Sequence, residues 1–138
     1  MAPLLIYYAD DDIDDLNVFT EAADFFGHAT QQFFNGVALL NELEHSAVKP
    51  DLIILDYFMP MDDGLEILKR IRASAFRDIP VIMITGLCSV NKQREFIDCG
   101  ANYILTKPAN FKEHKYIIET LSGIDWGSFE FDIGNSGI

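Results

Sequence analysis

Four apolar runs in this chain each end on a residue able to handle phosphate or a metal. Leu4-Leu5-Ile6-Tyr7-Tyr8-Ala9 ends on Asp10-Asp11-Asp12, and Leu52-Ile53-Ile54-Leu55 ends on Asp56. Val81-Ile82-Met83-Ile84 ends on Thr85, and Tyr103-Ile104-Leu105-Thr106 ends on Lys107. The strands expected at 51–55, 80–84 and 102–106 each carry an unbroken apolar run (52–55, 81–84 and 103–105) rather than an alternating pattern, as strands buried on both faces of a parallel sheet do. Ligands of an open α/β sheet bind outside the carboxyl ends of its strands. The four run ends are therefore expected to converge on one small site, whose carboxylates, hydroxyl and ammonium suit a divalent cation and phosphoryl chemistry.

Helix-like segments alternate with these runs. Leu16, Phe19, Ala22, Ala23 and Phe26 have the spacing of one apolar helix face over 12–26. Asp12, Asp14 and Asp15 fall in its first turn as capping, solvated acids, and Gly27 is a plausible stop. A second strand is expected at 29–34, then a short helix from Asn35-Gly36 to about Glu44. Further helices are expected over 64–74, with Leu65, Ile67, Leu68 and Ile71 buried, over 90–98, and over 111–122. Pro50 and Pro80 stand at strand starts, where a missing amide is tolerated. Asp62 and Asp63 read as turn residues before Gly64. The sum is one domain of five βα units over 1–123, followed by a tail over 124–138 whose Trp126 and Phe129 are expected to pin against it.

A chain of 138 residues that is 49% hydrophobic has enough material for a real core and little scope for disorder. No run approaches the roughly 20 apolar residues that span a bilayer, and the start lacks the basic region of a signal peptide. Cys88 and Cys99 form no zinc pattern and fit partly buried thiols in a reducing cytoplasm. His28, His45 and His114 show no metal spacing and are expected at the surface or boundary. The net charge of −12 repels nucleic acid and anionic membranes but suits divalent cations and basic partner surfaces.

Phosphorylating a carboxylate needs a fixed acceptor, a cation that neutralises phosphoryl oxygens, and further donors on the remaining oxygens. Mg²⁺ prefers one or two carboxylates plus waters and phosphate oxygens. Asp10 and Asp11 supply carboxylates for the cation, and Asp56, the single carboxylate ending the central run, is the best acceptor. Thr85 can donate a hydroxyl hydrogen bond and Lys107 an ammonium to the same anion.

The strings YYADDD (Tyr7–Asp12), DLIILDYFMPMDDG (Asp51–Gly64), PVIMITG (Pro80–Gly86) and GANYILTKP (Gly100–Pro108), in this order and spacing, resemble the receiver domain of bacterial two-component response regulators. The likeness extends from residue 3 to about 123. It implies a doubly wound, flavodoxin-like α/β fold with a five-stranded parallel sheet in the order 2-1-3-4-5. It implies that Asp56 is the phosphoacceptor, that Asp11 and Asp56 bind Mg²⁺ directly, that the Phe58 carbonyl is a third ligand, and that Asp10 acts mainly through water. Thr85 and Lys107 would contact the phosphoryl group, Gly86 would leave room for it, and the peptide before Pro108 would be cis. The implied partners are a sensor histidine kinase or phosphotransfer protein and an unidentified downstream protein, with no nucleic acid and no membrane. The expected role is a stand-alone cytoplasmic signalling module that catalyses only its own phosphorylation and dephosphorylation.

Two positions depart from the family. Ile104 stands where an aromatic switch residue is common, and Tyr103, one residue earlier, points to the opposite face by strand alternation. Phe58 and Leu87 are apolar where family members often carry side chains that orient the attacking water, so a long-lived phosphoryl group is expected. Two other functions compete with the leading one. The first is a degenerate receiver serving as a scaffold. The second is a haloacid-dehalogenase-type phosphohydrolase, which Asp10-x-Asp12 superficially matches. Against the second, the chain lacks a cap domain and a late strand ending in paired acids, and Phe58 rather than Asp follows Asp56 by two.

Overall fold

Two-sided burial of the apolar runs governs the architecture. The computed structural model describes residues 2–59, 62–86 and 89–129. Their elements run β1 (Leu5–Ala9), α1 (Ile13–Phe25), β2 (Ala29–Phe33), α2 (Gly36–His45), β3 (Leu52–Asp56), β4 (Phe58–Met59) and β5 (Asp62–Asp63). They continue as α3 (Gly64–Arg72), β6 (Val81–Thr85), α4 (Val90–Asp98), β7 (Tyr103–Thr106) and α5 (Phe111–Ser122). The main sheet has the order β2-β1-β3-β6-β7 with every neighbouring pair parallel. The two-residue strands β4 and β5 pair antiparallel with each other. With them set aside, the order is the expected 2-1-3-4-5.

Successive side chains divide the core in two. Tyr7, Ala9, Ile53, Leu55, Val81, Met83 and Ile104 pack against Leu39, Leu68 and Phe96 from α2, α3 and α4. Ile6, Tyr8, Leu52, Ile54, Ile82, Ile84 and Leu105 pack against Leu16, Phe19, Ile117 and Leu121 from α1 and α5. Helices thus cover both faces, which is why the central strands contain no polar alternation. Truncating such a leucine to alanine costs about 2–5 kcal/mol.

Caps set the helix starts. Asp12, Asn35, Asp63, Ser89 and Asn110 each accept a backbone N–H from the first turn of the following helix. Gly27, at φ +83°, turns the chain after α1 in a conformation that favours glycine. α3 stops at Arg72 rather than 74, because the Ser74 hydroxyl donates to the Ile71 carbonyl at 2.6 Å and the chain leaves in tight turns.

The histidine expectation needs correcting, since His28 and His114 are both buried. His28 Nδ1 accepts the Leu4 N–H at 2.9 Å, and His114 packs edge-on to Phe19 with ring centres 6.1 Å apart. Burial pushes both imidazoles below their ordinary pKa. Tyr103 and Ile104 do face opposite sides of β7. The Tyr103 ring lies 6.1 Å from Trp126 and 5.4 Å from Phe129, so the segment after α5 folds back over it. Residues 130–138 of the expected tail lie outside the described residues.

Candidate functional site

Parallel register brings the four strand ends level. Ala9 pairs with Leu55, Asp56 with Ile84, and Thr85 with Thr106. The Asp10 N–H donates to the Phe33 carbonyl at 3.0 Å, and the Lys107 N–H donates to the Thr85 carbonyl at 2.9 Å. These bonds extend the ladder one residue past each strand and fix the backbone from which the side chains project. Asp10, Asp56 and Thr85 are buried, Asp11 is exposed, and Lys107 is half-buried.

Lys107 is the centre of the charge arrangement. Its Nζ lies 3.1 Å from Asp10 Oδ2, 3.4 Å from Asp56 Oδ2 and 2.9 Å from Asp15 Oδ2. Asp10 also accepts the Tyr8 hydroxyl at 2.8 Å and the Asp12 N–H at 3.0 Å. The Phe58 N–H donates to Asp56 Oδ1 at 3.3 Å. Asp12 turns outward to cap α1, accepting the N–H groups of Asp14 and Asp15. It does not join Asp10 in the way the phosphohydrolase motif requires.

Burial and the Asp10 carboxylate together push the Asp56 carboxyl up to about 7, against the pull of Lys107. Burial also works against the Lys107 ammonium, but its bonds to Asp15 and Asp10 and the charges of Asp10 and Asp56 outweigh it, so its pKa stands above the ordinary lysine value. Burial and the neighbouring acids likewise hold the Tyr8 phenol protonated well above its usual range, as a donor to Asp10. The site is short of positive charge.

The donor set fits a cation that would supply that charge. Carboxylate oxygens of Asp10, Asp11 and Asp56 all lie within 4.8 Å of one another. Two oxygens on one Mg²⁺ at about 2.1 Å are at most roughly 4.2 Å apart. Small side-chain rotations would close the difference, and oxygen-only ligands suit a hard cation.

Glycines shape the walls. A Cβ on Gly64 would stand 2.5 Å from the Asp56 carbonyl oxygen and 3.0 Å from Tyr57 Cα, so only glycine lets the start of α3 lie against the end of β3. A Cβ on Gly86 would meet nothing within 4 Å, leaving open space beside Thr85. Phe58 is exposed, with its ring 4.6 Å from that of Tyr57. Leu87 and Cys88 lie outside the described residues, and Cys99 is a free, half-buried thiol.

Two expectations are overturned here. The Lys107–Pro108 peptide is trans; no cis bond occurs among the described residues. Trans is the ordinary isomer before proline, favoured by about 0.5–1 kcal/mol, and Lys107 reaches the carboxylates with it. Asp15 is not merely a solvated helix acid, because its carboxylate makes the shortest of the three Lys107 ion pairs. The signal lay in the sequence: Asp15, Phe19 and Ala22 stand at i, i+4 and i+7, and the last two are buried. Tyr8 was also missed, although strand alternation puts it on the same side as Asp10.

A family model described as the response regulator receiver domain matches residues 6–119. The response regulator MprA of Mycobacterium sp. (strain KMS) is 30% identical over 111 residues, 80% of this chain and 47% of that protein. The chain thus spans about half the length of the curated relatives it matches. Among solved structures, the phosphorylated cyanobacterial phytochrome response regulator RcpA superposes with a TM-score of 0.79 at 25% identity, over 92% of this chain and 96% of that one. The Mn²⁺-bound form of response regulator Rcp1 superposes with a TM-score of 0.77 at 22% identity, over 94% and 99%, and shares the fold. No helix among the described residues is long and apolar enough to cross a membrane.

Proposed function

Because the chain belongs to the response regulator receiver domain family, we propose that it accepts a phosphoryl group on Asp56 from the phosphohistidine of a sensor kinase or phosphotransfer protein, in a Mg²⁺-dependent relay. The observation that carries this reading is the meeting of Asp10, Asp11, Asp56 and Lys107 at the strand ends. In the transfer, an Asp56 oxygen forms a bond to phosphorus as the donor's N–P bond breaks. The electron pair leaves with the imidazole, which takes up a proton. Lys107 Nζ, 3.4 Å from Asp56 Oδ2, would hold one phosphoryl oxygen, and the Thr85 hydroxyl another. A Mg²⁺ held by Asp11, Asp56 and the Phe58 carbonyl, with Asp10 acting through water, would neutralise phosphoryl oxygens and keep Asp56 ionised. Gly86 leaves the entry side open.

We assign residues 1–123 to the receiver unit and 124–138 to a tail, a division supported by the end of α5 at Ser122. The reading makes the chain a signalling module in a bacterial cytoplasm, with a second protein as its downstream target. A net charge of −12 disfavours nucleic acid and anionic membranes as partners.

Incubation with acetyl phosphate and Mg²⁺ tests the reading. One phosphoryl group is expected per chain, on Asp56, with none when EDTA is present. Label elsewhere, or steady turnover of phosphate esters without a protein-bound phosphoryl group, would refute it. Phe58 offers no hydrogen bond from its side chain to an attacking water. Phe58→Asn should therefore shorten the phosphoryl lifetime about three- to tenfold, followed as loss of label after donor removal. An unchanged lifetime would remove Phe58 from control of hydrolysis.

A further inference from the structure

We propose that Asp15 is a positioning residue for Lys107: its carboxylate holds one N–H of the ammonium on the α1 side of the site and so limits how much of that charge reaches a phosphoryl group on Asp56. The inference deepens the phosphoacceptor reading and rests on it. An ammonium has three N–H donors, and Lys107 Nζ faces three carboxylates, with Asp15 nearest at 2.9 Å. Lys107 donates hydrogen bonds to Asp15 and Asp10 but meets Asp56 only as an ion pair at 3.4 Å, so a phosphoryl oxygen on Asp56 has to draw the ammonium toward itself against both. Asp10 and Asp56 belong to the cluster whose charge a cation would offset; Asp15 stands outside it. Asp15 therefore keeps its full claim on Lys107 when the cation is bound. It is also fixed in place, in the first turn of α1, with its N–H donating to the Asp12 cap at 3.3 Å. Its charge acts in one direction only, since it draws Lys107 away and repels an incoming dianion.

Beryllofluoride, an inert mimic of the phosphoryl group, provides the probe. With Mg²⁺ present, Asp15→Asn should bind it about three- to tenfold more tightly than the wild type. The amide oxygen still accepts the Lys107 bond while the competing charge is gone. Asp15→Glu keeps the charge and should stay within about twofold of the wild type. In a Lys107→Ala background, the gain from Asp15→Asn should shrink to within about twofold, a coupling that a purely structural role for Asp15 would not produce. Unchanged or weaker binding by Asp15→Asn, or the same gain without Lys107, overturns the proposal while leaving the phosphoacceptor reading intact. If the wild type takes no beryllofluoride at Asp56, the phosphoacceptor reading falls and this inference falls with it.

Discussion

Asp11→Ala should slow phosphorylation of Asp56 roughly 100-fold at limiting Mg²⁺, while Asp14→Ala should stay within about twofold of the wild type. Both residues are exposed acids near the start of α1, and charge alone would not separate them. Geometry does. Asp11 offers an oxygen to the cluster with Asp10 and Asp56. Asp14 lies in the helix proper, where its N–H donates to the Asp12 cap at 2.9 Å. On the proposed role of Asp11, its removal would weaken cation binding and leave Asp56 under the unrelieved field of Asp10. Much of the lost rate should return at high Mg²⁺, because the defect lies in binding. The check is the rate of labelling by acetyl phosphate across a Mg²⁺ series. Equal losses in the two variants would move the cation away from this cluster.

Asp56→Asn should accept no phosphoryl group and, at pH 8 without divalent cations, should be more stable than the wild type by about 2 kcal/mol. The sign follows from the raised carboxyl. Its pKa climbs from an ordinary 3.8 to about 7 on folding, so the folded state binds the proton more tightly than the unfolded chain. Stability is therefore lost as pH rises through that window, and an uncharged amide avoids the loss. Carried into stability, that rise amounts to a few kcal/mol at most. About half should survive, because the amide leaves Lys107 with one carboxylate fewer. The gain corresponds to a rise of roughly 5–10 °C in Tm. It should vanish near pH 4, where the wild-type carboxyl is protonated in the folded protein. Added Mg²⁺ should narrow the gap at pH 8 by stabilising the wild type preferentially. Parallel thermal melts that show no dependence on pH would mean that the acceptor's charge costs the fold nothing.

The parts of this molecule that were legible in the sequence are those with a one-dimensional signature. Continuous apolar runs exposed the buried strands, and the residue ending each run exposed Asp56, Thr85 and Lys107 at the level ends of β3, β6 and β7. Helix starts were legible through Asp12 and Asn35, whose side chains satisfy first-turn N–H groups, whereas Asp63 reads as a turn residue and its cap on α3 shows only in the structure. Features decided by tertiary contact were less accessible. The Asp15 carboxylate finds its partner 92 residues away, so its helix position alone suggested only a favourable dipole. His28 and His114 are polar by composition, yet their burial depends on what packs over them. Tyr8 looked like core, and its ring is core; only its hydroxyl reaches Asp10. The isomer before Pro108 is a local loop property on which a family habit proved a poor guide.

The strand order has a consequence for how the molecule is made. β1 comes first in the chain yet lies between β2 and β3, with its acids at the middle of the finished sheet. Lys107 follows Asp10 by 97 residues and stands just past the end of β7, the last strand. A ribosome therefore delivers every acid of the cluster before it delivers the lysine that offsets them. An emerging chain that buried those acids early would trap uncompensated charge, which is strongly unfavourable. The centre of the sheet thus has reason to stay open until β7 is synthesised and docks beside β6. A fragment that stops short of β7 therefore holds Asp56 and its neighbouring acids without the ammonium that offsets them.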